Sequence, residues 1–197
     1  MEFWTQDEFQ AFLECVADKP ISYYAFEMLY WTGIREGELL ALTPADFNFD
    51  KKTLRINKSY QRLEGKDVIT DPKTPKSNRT IVMPDFLAIE MEDFIKSIYG
   101  IKMNDRIFTI SKSYLHHEMD RGAKLAGVKR IRIHGLRHSH ISLLINLGFS
   151  ALAIGERVGH EAIDITYHYA HLFPTVQTDM AAQLETEREA LVNVRKE

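Results

Sequence analysis

Apolar residues recur at helical spacing along most of this chain, and in one stretch they alternate instead. Thr5 followed by Glu8 is a capping-box signature, which predicts a helix running to about Asp18. Pro20 opens a second helical segment that carries Phe26, Met28, Leu29 and Tyr30 to a stop at Gly33. Glu36 to Leu42 reads as a short helix, ended ahead of Pro44. Residues 47–82 change character. Phe47 to Ile56 alternates weakly, Val68-Ile69 and Thr80-Ile81-Val82 are β-like, and Gly65, Pro72 and Pro75 punctuate them. A small antiparallel sheet is expected there, with a polar, exposed connection over Asp71–Arg79. Helical periodicity resumes over about 84–98, 111–126 and 135–147, the last closed by Gly148. Two short helices follow, near Ala151–Val158 and Ile163–His171. A final helix from about Pro174 to Val194 is charged, yet Val176, Met180, Leu184 and Leu191 share a face that needs a partner. The fold class is therefore α+β, mostly helical, with a small antiparallel β-sheet inserted between helices.

Composition narrows the class further. A chain of 197 residues, 45% of them apolar, fits one domain with one sizeable core. The single cysteine, Cys15, rules out an internal disulfide framework and a cysteine-based zinc cluster. Its neighbours Phe12, Leu13 and Val16 suggest a buried thiol. No apolar run approaches the roughly 20 residues of a membrane span, and the acidic start lacks a signal-peptide pattern, so a cytoplasmic protein is expected. The net charge of −3 hides a strong segregation. Residues 1–50 hold ten carboxylates against two bases, whereas 121–155 hold six basic residues, three histidines and no carboxylate. Local potential, more than the total, governs contact with a polyanion.

Three clusters could carry chemistry. In His134-Gly135-Leu136-Arg137-His138-Ser139-His140, His134 and Arg137 lie three apart on one helix face and can converge on one anion. Arg offers a planar fork to two phosphate oxygens, and His can move a proton near neutral pH. Satisfied surface histidines would look the same. A metal site at His134, His138 and His140 is not expected, because no nearby carboxylate or cysteine completes it. In Thr32-Gly33-Ile34-Arg35-Glu36-Gly37-Glu38, Arg35 sits at the mouth of a helix, with Glu38 placed to hold its guanidinium. An ordinary helix-surface ion pair is the plainer reading. The third cluster is Val158-Gly159-His160, followed nine residues on by Tyr169 within Thr166-Tyr167-His168-Tyr169-Ala170-His171. A tyrosine is a plausible nucleophile only beside cations that stabilise its phenolate.

Taken together and in this order, the clusters resemble the tyrosine recombinase (phage integrase) family. The motifs are Thr-Gly-Ile-Arg-x-x-Glu-Leu, a Lys-Thr hairpin loop with Ser77-x-Arg79, His-x-Leu-Arg-His, Gly-His, and Thr-x-x-Tyr-x-His. They span about Phe3 to Phe173, and Phe-Trp-Thr-x-x-Glu-Phe is a usual family opening. The resemblance implies that Arg35 and Arg137 clamp the scissile phosphate, that His134 and His160 assist them, and that Glu38 buttresses Arg35. It implies Lys73 as general acid on the leaving 5′ oxygen, with Lys76 as the alternative, and Tyr169 rather than Tyr167 as nucleophile. Lys76, Arg79, Arg132 and His138 would line the DNA. No cofactor is implied.

The same resemblance implies a catalytic domain over 1–173 and a C-terminal helix over 174–197, open to exchange between protomers. It suggests a fragment that lacks an N-terminal core-binding domain, with Met1 added for expression. The implied partners are double-stranded attachment-site DNA, other protomers in a synaptic tetramer, and in some systems an excisionase and a host DNA-bending protein. The implied setting is the cytoplasm of a bacterial host cell, and the implied role is integration or excision of a mobile element. Two other readings stay open. A non-catalytic helix-turn-helix regulator would use residues 135–171 without needing Lys73 or Tyr169. A type IB topoisomerase would share the chemistry but not the Gly-His and Tyr-x-His spacing.

Overall fold

The computed structural model describes residues 2–71 and 77–159, together with 164, 169, 181, 182, 184–186 and 188. Helix α1 (Gln6–Val16) starts where the capping box placed it. Thr5 N donates to Glu8 Oε2 at 2.9 Å, and Glu8 N donates to Thr5 Oγ1 at 3.3 Å. Helix α2 (Pro20–Thr32) is apolar on nearly every side, as suits a central helix. Phe9 of α1 stacks on Tyr30 of α2 with ring centroids 3.7 Å apart, and Phe12 meets Phe26 edge-on. Helix α3 (Glu36–Ala41) and a 3-10 turn (Pro44–Asp46) lead into the strands.

Strands β1 (Phe47–Asn48), β2 (Thr53–Ile56) and β5 (Arg79–Val82) form an antiparallel sheet in the order β1-β2-β5, with Leu54 opposite both Phe47 and Ile81. Strands β3 (Ser59–Leu63) and β4 (Lys66–Thr70) form a separate two-stranded hairpin. The expected single sheet is thus two. Strand β3 escaped the sequence pattern because only Tyr60 of its five residues is buried. Its turn uses Glu64 and Gly65, both at positive φ, which suits a tight hairpin. Arg106 fastens the hairpin to the body. Its guanidinium lies 4.2 Å from the Tyr60 ring centre, and Nη2 donates to Asp67 Oδ2 at 3.1 Å.

Helices α4 (Asp85–Ser97), α5 (Lys112–Ala126), α6 (Ile133–Asn146) and α7 (Ala151–Val158) complete the described elements. α1 packs on α5, α2 on α4 and α6, and α7 on α6 and β5. Two expectations need correction. The Cys15 thiol is half-buried rather than enclosed, because α1 turns its Phe12 and Val16 face to the core and Cys15 falls at the margin. The connection before β5 is not uniformly exposed, since Ser77 and Arg79 are buried. The expected helices over 163–171 and 174–194 lie mostly outside the described residues. Among the described residues, no helix is long and apolar enough to cross a membrane.

Two buried groups govern how this core responds to pH. Burial, then the neighbouring Glu90, pushes the Glu27 carboxyl on α2 up to about 8, against a hydrogen bond from Trp31. Its ordinary value is 4.5, so raising the pH from there toward 8 withdraws stability, at about 1.4 kcal/mol per pH unit. Burial, then Arg157, pushes His140 on α6 from 6.5 down to about 3. Lowering the pH through that window withdraws stability by the mirror argument. Between pH 4.5 and 6.5 the two slopes oppose each other. Glu27→Gln should therefore raise the thermal midpoint by several degrees more at pH 8 than at pH 5. Equal shifts at both pH values would contradict this account.

Candidate active site

The site begins at the reversal between α2 and α3. Gly33 closes α2 at φ 66°, and a Cβ there would sit 2.6 Å from His140 Cδ2, so both backbone and space require glycine. The reversal leaves Arg35 in extended backbone as the N-cap of α3. Its side chain folds back, with Nη1 donating to Glu38 Oε1 at 2.9 Å while its backbone N donates to Glu38 Oε2 at 2.8 Å. The Arg35 side chain keeps 34% of its surface exposed, enough to face a ligand.

Glu38 gathers a second arginine. Arg79 of β5 donates from Nη1 to Glu38 Oε1 at 3.1 Å and from Nη2 to Glu38 Oε2 at 3.0 Å. Burial alone would raise the Glu38 carboxyl, but hydrogen bonds and charge from Arg79 and Arg35 hold it below the usual range. Arg79 was expected on the DNA-facing surface. Instead it is 9% exposed and wholly engaged with Glu38 and with backbone carbonyls, because an exposed strand start would leave this carboxylate half-paired.

Arg137 of α6 is 1% exposed and reaches across to the same reversal. Nη1 donates to Gly33 O at 2.7 Å, and Nη2 donates to Val158 O at the end of α7. Its Nε finds no acceptor among the described residues. Burial and the neighbouring Arg35 pull its pKa down to about 9, which leaves it a cation at neutral pH. Arg35 Nη2 donates to the next carbonyl, Gly159 O, at 3.3 Å. The two candidate phosphate-binding arginines, 102 positions apart in the chain, thus meet over one turn of α7.

Tyr169 lies beside this arginine cluster, in the field of Arg137. It is 3% exposed, and its ring packs with Ile141, Ile145, Ile154 and Val158. Its hydroxyl hydrogen-bonds His138 Nδ1. Burial pushes the phenol up to about 12, while the charge of Arg137 pulls the other way. His134 lies one turn before His138 with ring centroids 4.8 Å apart, and burial, Arg137 and Arg35 together hold it below its usual pKa. It is therefore neutral at pH 7 and able to accept a proton. His138, expected along the DNA, sits instead against the candidate nucleophile. Arg132 is the N-cap of α6 and is exposed. Lys73, Lys76, His160 and Tyr167 lie outside the described residues.

His140 turns away from this cluster into the core. There its Nε2 accepts from Arg157 Nε at 3.0 Å, which separates it from His134 and His138. The sequence reading missed Arg157 altogether. Its only signal is a basic residue near the end of a short amphipathic helix, directly before Val158-Gly159-His160.

The cluster therefore gathers Arg35, Arg79, Arg137 and Arg157 around one carboxylate, Glu38, among the described residues. Glu38→Gln should cost about 3–5 kcal/mol of stability, because it leaves two guanidinium groups uncompensated beside Arg137. Chemical denaturation at neutral pH measures this. A loss within about 0.5 kcal/mol would mean that Glu38 does not hold the cluster.

A buried phenol beside Arg137, together with this order of motifs, sets what the comparisons with known proteins have to match. A model described as "Phage integrase family" matches residues 2–175. The chain belongs to the phage integrase family. The ICEBs1 integrase of Bacillus subtilis is 29% identical over 200 residues, covering 94% of this chain and 54% of that protein. This phage-integrase-family chain thus spans about half the length of the curated relatives it matches. Its fold is that of the Tn1549 transposon integrase in complex with a circular intermediate DNA, with a TM-score of 0.76 and 22% identity over 95% of this chain and 65% of that one. The catalytic domain of bacteriophage HP1 integrase matches with a TM-score of 0.64 and 20% identity, over 92% of this chain and 94% of that one.

Proposed function

We propose that this chain is the catalytic domain of a tyrosine recombinase, which integrates or excises a mobile element by cutting and rejoining DNA. The observation that carries the proposal is Tyr169 hydrogen-bonded to His138 and lying in the field of Arg137, which meets Arg35 over the end of α7. A helix-turn-helix regulator would present the side chains of α6 to a DNA groove, whereas Arg137 is directed inward toward Gly33 and Val158.

The chemistry follows from these groups. A scissile phosphate bound over Arg35 and Arg137 gains two guanidinium groups that offset the charge of the pentavalent transition state. Tyr169 Oη attacks phosphorus in line while its proton passes to an imidazole, and His138 is the one already bonded to it. The P–O5′ bond breaks as the Tyr169–phosphorus bond forms, and Lys73 protonates the leaving 5′ oxygen. His160 adds a further contact to the phosphate. A 5′-hydroxyl from a partner strand reverses the steps, so the phosphotyrosine ester retains the bond energy and no nucleotide cofactor is consumed. The substrate on this reading is attachment-site duplex DNA, held by several protomers in a synaptic assembly. An excisionase and a host DNA-bending protein complete the set of partners in some such systems. The place of action is the cytoplasm of a bacterial cell.

The reading is tested with a nicked duplex spanning the junction between the element and its chromosomal target. A denaturing gel should show protein bound covalently to a DNA 3′ end, with a free 5′-hydroxyl and no loss on adding EDTA. Binding without any covalent adduct would contradict the proposal.

A further inference from the structure

The last turn of α7 presents three successive carbonyls, and each accepts from a different arginine of the cluster. Arg157 O accepts from Arg79 Nε at 2.8 Å, Val158 O accepts from Arg137 Nη2, and Gly159 O accepts from Arg35 Nη2 at 3.3 Å. Helix C-termini leave such carbonyls unpaired and carry partial negative charge, so this turn is a natural seat for cations. Gly159 in the left-handed region, at φ 71°, completes the turn. The turn therefore shares with Glu38 and the Gly33 carbonyl the placing of these guanidinium groups.

The turn is itself anchored through one side chain. Arg157 Nε donates to His140 Nε2 at 3.0 Å, Nη1 to Val82 O at 3.0 Å and Nη2 to Trp31 O at 3.2 Å. One guanidinium thus ties α7 to α6, to the end of β5 and to the last turn of α2. The His140 ring also lies against Gly33, whose carbonyl accepts from Arg137. Both walls of the arginine pair rest on the same buried contact.

We infer that Arg157, seated on His140, is a positioning residue for the phosphate clamp: it fixes the α7 turn whose Val158 and Gly159 carbonyls hold Arg137 and Arg35. This rests on the recombinase reading and adds to it a residue that need not touch DNA. Misplacing a charge-stabilising group by about 1 Å costs roughly a hundredfold in rate. The effect should therefore fall on the chemical step and not on DNA affinity.

The test compares single-turnover cleavage of two junction duplexes at saturating protein. One carries the natural scissile phosphate, and the other a methylphosphonate there, which lacks one charged oxygen. Arg157→Met should slow cleavage of the phosphodiester roughly ten- to a hundredfold with duplex affinity little changed. The penalty should shrink several-fold on the methylphosphonate, where less charge needs clamping. Arg157→Lys should recover part of the rate. His140→Phe, which removes one anchor and leaves two, should show the same pattern at smaller size and keeps the test open if Arg157→Met fails to fold. Equal penalties on both duplexes, or no penalty, would overturn the inference while leaving the recombinase reading intact. If the unsubstituted protein forms no adduct on either duplex, the recombinase reading fails and the inference falls with it.

Discussion

Tyr169→Phe is expected to abolish the covalent protein–DNA adduct, a loss of at least about 10⁴-fold, while Tyr167→Phe retains it. Phenylalanine fills the same apolar niche beside Ile141, Ile145, Ile154 and Val158, so the fold should be undisturbed and the thermal midpoint nearly unchanged. What disappears is the only atom that can form the ester. The sequence spacing carries the distinction: on a helix, positions two apart would point to nearly opposite sides, so only one of the two tyrosines is expected to meet Arg137. At pH 7 a phenol held near 12 is almost wholly protonated. Reactivity therefore requires the imidazole contact and the cations together, not the tyrosine alone. A Tyr169→Phe protein that still forms an adduct at a comparable rate would remove Tyr169 from the mechanism.

Arg137→Ala should be the next most damaging change, slowing cleavage by about 10³-fold. Two effects contribute. The transition state loses a buried guanidinium, and Gly33 O and Val158 O lose their donor, which should cost about 1–3 kcal/mol of stability. Arg137→Lys separates them. Lysine keeps the charge but not the planar fork, so it can serve only one of the two carbonyls at a time and cannot restore bidentate contact with phosphate. Its cleavage rate should stay far below that of the unsubstituted protein, with stability partly recovered. Overall DNA affinity should fall by no more than about tenfold, since many other phosphate contacts contribute to it. A large loss of affinity with an unchanged cleavage rate would place Arg137 at the DNA surface instead of at the reacting phosphate.

Most helices were legible because their signals are local. The Thr5–Glu8 box, Pro20 at the start of α2 and Gly33 at its end are hydrogen-bonding and steric requirements that the sequence states outright. The arginine pair was legible as motif order, and its convergence is a tertiary fact. Three things were not legible. Strand β3 buries one residue, so alternation had little to report, whereas Val68-Ile69 of β4 was read as β-like. Arg79 looked like a surface cation because nothing nearby in sequence shows that Glu38, 41 positions away, would enclose it. Arg157 was missed because its partners are two backbone carbonyls and a buried imidazole, none of which leaves a mark on a linear pattern.

The most direct test of the central claim is to digest the trapped adduct with trypsin and sequence the nucleotide-bearing peptide by mass spectrometry. The account requires the modified peptide to carry its phosphate ester on Tyr169. A nucleotide found on Tyr167, on a serine or on any other side chain would contradict it.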